Sequence, residues 1–154
     1  MDSKVIAKAY TSVKKFNEIA GTLKAPSLEL LDLYNSLGFE ELSESISAFE
    51  EKNTVEILDG ALDELYIIFG KLQLLEALGM NVTEGIKRVC ENNLSKFIPD
   101  GNALRYPADV IAERNEKYGV TVLRRADGKI QKPIGFSPVD LSDLVPKNFF
   151  KENV

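Results

Sequence analysis

FEELSESISAFEEKNTVEILDGALDELY, residues 39–66, carries both the acidity of this chain and its clearest helical periodicity. From Glu40 to Glu64, nine of 25 residues are Asp or Glu and one, Lys52, is basic, a charge of −8. The whole chain carries −5, so everything outside the stretch sums to +3. Spacing sharpens the point. Glu40 and Glu44 lie four apart, Glu41 and Glu44 three apart, and Asp59 and Asp63 four apart, so on helices each pair shares a face. Two unit charges about 5 Å apart repel by roughly 3 kcal/mol at an effective dielectric near 20. Such pairs set beside apolar positions call for a compensating cation. The bland alternative is a pair of solvated helix faces. Two acidic clusters on consecutive helices joined by a short connection favour the cation, because antiparallel packing turns the clusters toward each other. Carboxylates without imidazole or thiolate suit a hard ion such as Mg²⁺.

The rest of the composition narrows the chemistry. The 154 residues suit one domain, 1–154, with a helical core over about 3–97 and a C-terminal extension over about 98–154. With 44% hydrophobic residues the chain has enough apolar material for a packed core. There is no histidine, which excludes Ser-His and Cys-His nucleophilic triads and His-ligated zinc. An acidic balance without a basic stripe argues against nucleic acid as a partner. No apolar run reaches membrane-spanning length, so no membrane association is expected. The N-terminal MDSKVIAKAYTSVKKF lacks the apolar centre of a secretory signal, and Cys90 is the sole cysteine; a cytoplasmic location follows as the expectation.

Periodicity predicts an all-α bundle of about four main helices followed by an irregular C-terminal arm, with room there for a small hairpin. The first helix covers 3–19, with Val5, Ile6, Ala9, Val13, Phe16 and Ala20 on its inner face and Gly21 as its stop. Ser27 caps a second over 28–51, either continuous or broken at Gly38, with Leu42, Ile46 and Phe49 in its apolar stripe. Asn53-x-x-Glu56 reads as a capping box opening a third helix over 54–79, which leaves Glu56 open between a cap and a ligand role. Val55, Leu58, Leu62, Leu65, Phe69 and Leu72 form its seam, with Asp59, Asp63, Tyr66 and Gly70 in the adjacent row. Gly70 in mid-helix costs about 1 kcal/mol relative to Ala and points to close approach by another helix or a ligand. Thr83 is expected to cap a fourth helix to about Phe97, with Ile86, Val89, Cys90 and Leu94 inside. Pro107 to Tyr118 reads as a short helix, Val120 to Leu123 as a strand leading into a tight turn before Ile130, and 133–154 as an extended arm.

Taken in order, EELSE at 40–44, Asp59-Gly-Ala-Leu-Asp63-Glu-Leu-Tyr66-Ile-Ile-Phe-Gly70, Leu78-Gly79-Met80, Asn93-Leu-Ser-Lys96 and Gly128-Lys129-Ile-Gln-Lys132-Pro133 resemble the all-α nucleoside triphosphate pyrophosphohydrolases. This is the superfamily of MazG, dimeric dUTPases and phosphoribosyl-ATP pyrophosphohydrolases. The nearest likeness is to the phosphoribosyl-ATP pyrophosphohydrolase-like branch, with its D-x-x-x-D-x-x-Y-x-x-x-G helix, N-x-S-K segment and G-K-x-x-K-P tail. The likeness covers roughly residues 39–141. It departs from members that carry E-x-x-D on the third helix, since Gly60 stands three before Asp63.

The resemblance implies a homodimer or homotetramer with sites built between helices. It implies Mg²⁺, with Mn²⁺ able to substitute, held by Glu41, Glu44 and Asp63 with Glu40 or Asp59 assisting. The implied reaction is hydrolysis of a nucleoside triphosphate between the α- and β-phosphates, giving the monophosphate and pyrophosphate. Glu41 or Glu44 would take the proton of the attacking water. Tyr66 stands between positioning the substrate and a core aromatic with its hydroxyl at the rim, Asn93 would orient sugar or phosphate, and Lys96 stands between neutralising phosphate charge and a helix-end dipole partner, while Lys129 and Lys132 stand between closing over the triphosphate and plain solvent exposure. Phosphoribosyl-ATP hydrolysis is the second enzymatic reading. A helical interaction or regulatory protein without catalysis is the reading from a different class.

Overall fold

A computed structural model describes residues 2–102 and 106–152, with side chains to 150. The chain forms two compact units, one comprising Met1–Val82 with Val145–Val154 and the other Thr83–Leu144. The last two residues of the expected arm lie outside the described residues. Among the described residues no helix is long and apolar enough to cross a membrane.

The first unit is built on three helices: α1 (Ser3–Ala20), α2 (Leu28–Glu50) and α3 (Thr54–Ala77). Each begins where a short polar side chain can satisfy a free backbone N–H. Asp2 accepts from the Lys4 N–H at 2.9 Å, Ser27 from Leu30 at 3.2 Å and Asn53 from Glu56 at 3.3 Å. Gly21, at φ 75°, closes α1 in the left-handed conformation open to glycine. The second helix runs unbroken through Gly38. At Glu51 to Asn53 the chain reverses in a tight cap: Lys52 takes φ 57°, and the Asn53 N–H returns to the Ala48 carbonyl at 2.9 Å.

Two glycines set how α2 and α3 meet. A Cβ on Gly60 would lie 3.2 Å from the Ser45 Cβ, and one on Gly70 would lie 2.5 Å from Tyr34 Cε1. The mid-helix glycine thus admits an aromatic ring of the neighbouring helix. Beneath that ring lies a buried polar relay. The Tyr34 hydroxyl donates to Asn17 Oδ1 at 3.0 Å, Asn17 Nδ2 donates to Gln73 Oε1 at 3.1 Å, and Gln73 Nε2 donates to the Tyr10 carbonyl at 3.0 Å. Asn17 and Gln73 are buried, and no buried side-chain polar atom among the described residues lacks a partner. Tyr34, Leu74, Leu78 and Phe149 form the apolar core beside the relay.

This arrangement corrects the expected inner faces. On α1 the buried residues are Val13 and Asn17, while Val5 and Phe16 are exposed. The polar relay, which periodicity of apolar residues does not reveal, rotates the helix. On α2 and α3 the expected stripes of Leu42, Ile46 and Phe49 and of Val55, Leu58 and Leu62 are exposed in the single chain. Three helices that meet at glycines and a tyrosine have no further surface with which to cover them.

The second unit departs from the all-α expectation. Its helix α4 (Val82–Leu94) starts one residue before Thr83. A three-stranded antiparallel sheet follows, with β1 (Ile98–Pro99), β2 (Ile111–Asn115) and β3 (Val120–Arg124) in the order β1-β3-β2. The stretch expected as a helix over 107–118 instead contains the strand β2, paired Ile111 to Arg124 through Asn115 to Val120. A hairpin turn with Gly119 at φ 60° lets its backbone bond to β3, which a lone short helix could not match. The expected turn at 126–129 is present: Gly128 takes φ 83°, and the chain returns to an Arg124–Ile130 bridge. The inner face assigned to α4 is also corrected, since Ile86, Cys90 and Leu94 are exposed. Its other side is held by polar contacts, Arg88 to Asp143 at 2.6 and 2.9 Å and Asn92 to the Ser137 carbonyl at 2.8 Å.

Gly70→Ala is expected to lower stability by about 2–3 kcal/mol, through the displaced Tyr34 ring and its lost hydrogen bond. Urea unfolding of the variant against the parent measures this.

Candidate functional site

The acids that the sequence singles out sit around the contact of α2 and α3 at Ser45 and Gly60. Glu41 and Glu44 flank Ser45 on the N-terminal side, and Asp59 and Asp63 flank Gly60, the two positions whose backbones nearly touch. The antiparallel turn at Lys52 thereby sets the two clusters opposite each other, as the spacing leads one to expect. The carboxyl of Glu41 is pushed up from its ordinary range, first by partial desolvation and then by the negative charges of Asp63, Glu44, Glu40 and Asp59. Four acids from the two helices therefore act on Glu41.

Among the described residues no cation pairs with them. Every described salt bridge lies within residues 84–143 of the second unit. The donor set, carboxylate oxygens alone, fits a hard divalent ion. The side chains as they stand do not converge on a point, however: among the described residues no three acidic, Cys or His groups are grouped closely enough to hold an ion. Their exposed positions leave Glu40, Glu44, Asp59 and Asp63 free to turn.

Toward the turn that joins the helix pair, Ser43, Glu44, Ser47, Ala48, Glu51 and Glu56 line a shallow cleft of about 350 Å³. Here Glu56 does not act as the second half of a capping box. Asn53 caps the Glu56 N–H, but the Asn53 N–H is taken by the Ala48 carbonyl. On the other side, one helical turn beyond Asp63, Tyr66 is partly exposed and meets Phe16 of α1 edge to face, with ring centroids 6.1 Å apart. Phe16 is the neighbour that the sequence reading missed. Its place in an apolar period assigned it to the core, and nothing local signals that Asn17 takes the buried position instead.

The remaining candidates belong to the second unit. Lys96 donates to Asn93 Oδ1 at 2.6 Å, and Asn93 Nδ2 returns to the Val89 carbonyl at 2.9 Å, so the pair closes the end of α4. Lys129 follows the Gly128 turn with its backbone N–H on Asp127 Oδ1 at 3.0 Å and its side chain exposed. Lys132 places its ammonium 5.1 Å from the centre of the Phe136 ring. Comparison of the chain with protein families, with curated proteins and with solved structures finds no match.

A carboxyl raised in the folded state favours the fold while protonated, and that contribution is lost as pH rises through the folded-state value. At neutral pH the charged Glu41 therefore works against stability. Glu41→Gln is expected to raise the melting temperature at pH 7, with the difference shrinking as pH falls from the raised value of Glu41 into the ordinary carboxylate range. Thermal unfolding across pH 3–8, without added divalent metal, reads this directly.

Proposed function

We propose that the chain is a Mg²⁺-dependent nucleoside triphosphate pyrophosphohydrolase. One observation carries the reading. The negative charges of four carboxylates on α2 and α3, those of Asp63, Glu44, Glu40 and Asp59, all act on Glu41, and no described salt bridge involves any of the five. The ordered likeness of residues 39–141 to the all-α pyrophosphohydrolases supports the same conclusion from the sequence side.

In this reading Glu41, Glu44 and Asp63 would hold the metal, with Glu40 or Asp59 assisting. When bound, the ion supplies charge neutralisation for the triphosphate and acidifies water. The chain's own part is proton transfer and positioning. Glu41 or Glu44, whichever is less engaged as a ligand, accepts the proton of the water that attacks at phosphorus. The raised proton affinity of Glu41 suits it to that task better than an ordinary glutamate. Tyr66 positions the substrate beside the acids. Asn93, Lys96, Lys129 and Lys132 are the groups proposed to meet sugar and phosphate oxygens.

The reading also includes a second copy of the chain. Val55, Leu58 and Leu62 on α3, together with Leu42, Ile46 and Phe49 on α2, leave large side chains exposed on the same hairpin that bears the acids. Exposed apolar surface of this extent marks an interaction site. A homodimer or homotetramer would cover it.

With Mg²⁺ and a panel of ribo- and deoxyribonucleoside triphosphates, the expected products are a monophosphate and pyrophosphate. Glu41→Gln and Asp63→Asn are each expected to reduce turnover by at least about a hundredfold while helix content by circular dichroism stays intact. Orthophosphate release would refute the bond assignment, and no turnover with Mg²⁺ or Mn²⁺ would favour the non-catalytic reading. In sedimentation equilibrium the parent is expected to be a dimer or tetramer, and Leu62→Glu to fall to monomer.

A further inference from the structure

We propose that Phe16 determines substrate specificity by forming, with Tyr66, an aromatic rest for the nucleobase of a nucleotide whose phosphates meet the acids of α2 and α3. The inference rests on the pyrophosphohydrolase reading and adds to it a residue of α1, a helix outside the span of the sequence likeness.

Three observations point to it. First, the exposure of Phe16 is held in place. The next residue, Asn17, is 1% exposed and bonded on both sides, accepting from the Tyr34 hydroxyl and donating to Gln73. Turning α1 to bury the Phe16 ring would leave that buried amide and two partners unsatisfied. The relay therefore keeps a ring that is 58% exposed facing outward. Second, Phe16 and Tyr66 meet edge to face at an interplanar angle of 76°, which leaves ring faces open to a third flat ring. Third, Tyr66 follows Asp63 by three residues on α3, so about 5 Å of helical rise separates the aromatic pair from the acids. A ligand joining a flat heterocycle to a chain of phosphates has parts suited to both. Stacking on a ring face reads ring area more than hydrogen-bonding pattern, so purines should gain more than pyrimidines.

The test uses the intact protein with Mg²⁺ and two probes, the non-hydrolysable α,β-methylene analogue of dATP and inorganic tripolyphosphate, which has no base. Calorimetric titration is expected to show Phe16→Leu weakening the analogue about tenfold while leaving tripolyphosphate unchanged, with Phe16→Trp restoring the analogue. Equal binding of the analogue by parent and Phe16→Leu overturns the inference, as does an equal loss for both probes. A change in sedimenting mass on Phe16→Leu also overturns it, by assigning the ring to a subunit contact. A parent protein that hydrolyses triphosphates with Phe16→Leu unaffected removes this inference alone. A parent that neither turns over nucleotides nor binds either probe removes the pyrophosphohydrolase reading as well.

Discussion

The near contact of α2 and α3 at Gly60 and Gly70 governs the arrangement of the first unit. Where a Cβ is missing, two helix backbones approach until a side chain of one lies against the main chain of the other. At Gly70 that side chain is Tyr34, and at Gly60 it is Ser45. These contacts fix the rotation of both helices about their axes. The rotation decides that Glu41 lies within reach of the charges of Asp59 and Asp63. A turn of even one residue position, about 100° on an α-helix, would carry Glu41 out of the contact and separate the two clusters.

The polar relay makes that rotation hard to change. An apolar core tolerates small shifts, because dispersion has little directionality. A chain of buried hydrogen bonds does not, because each broken link strands a desolvated donor or acceptor. Tyr34, Asn17, Gln73 and the Tyr10 carbonyl connect all three helices in this way. The relay holds Tyr34 against Gly70 and α1 against α3 at once. Through it the position of Phe16, three helices' packing and the facing acids become parts of one arrangement.

The sequence made some of this legible and concealed the rest. Helix ends were readable because they depend on local chemistry: Ser27, Asn53 and Gly21 act within a turn of themselves. Opposed acids at Glu41 and Asp63 were readable because a short connection between two helices leaves few alternatives to antiparallel packing. The hairpin of β2 and β3 was not, since Glu113, Arg114 and Lys117 suit a helix surface equally well and only pairing with Val120–Arg124 decides the matter. Nor were the buried faces of α1 and α4. Reading apolar residues as inward fails when amides take the interior, as at Asn17, or when an ionic clasp such as Arg88 with Asp143 does the holding.

The two unmet demands of the α2–α3 hairpin bear on each other. Among the described residues no salt bridge involves its acids, and its outer stripes are exposed. Asp59 and Asp63 adjoin the stripe of Val55, Leu58 and Leu62 on the same helix, so covering the stripe with a second copy would also reduce the water around the acids. Less water strengthens both their mutual repulsion and their attraction to a divalent ion. Without the ion, association would be opposed by the charge it desolvates; with the ion, the same desolvation would tighten ion binding. Linkage then requires reciprocity: whatever factor the metal adds to association, association adds to metal affinity. In the proposed reading, assembly and metal loading are thus one coupled equilibrium, and its strength is set by how closely Gly60 lets the two helices meet.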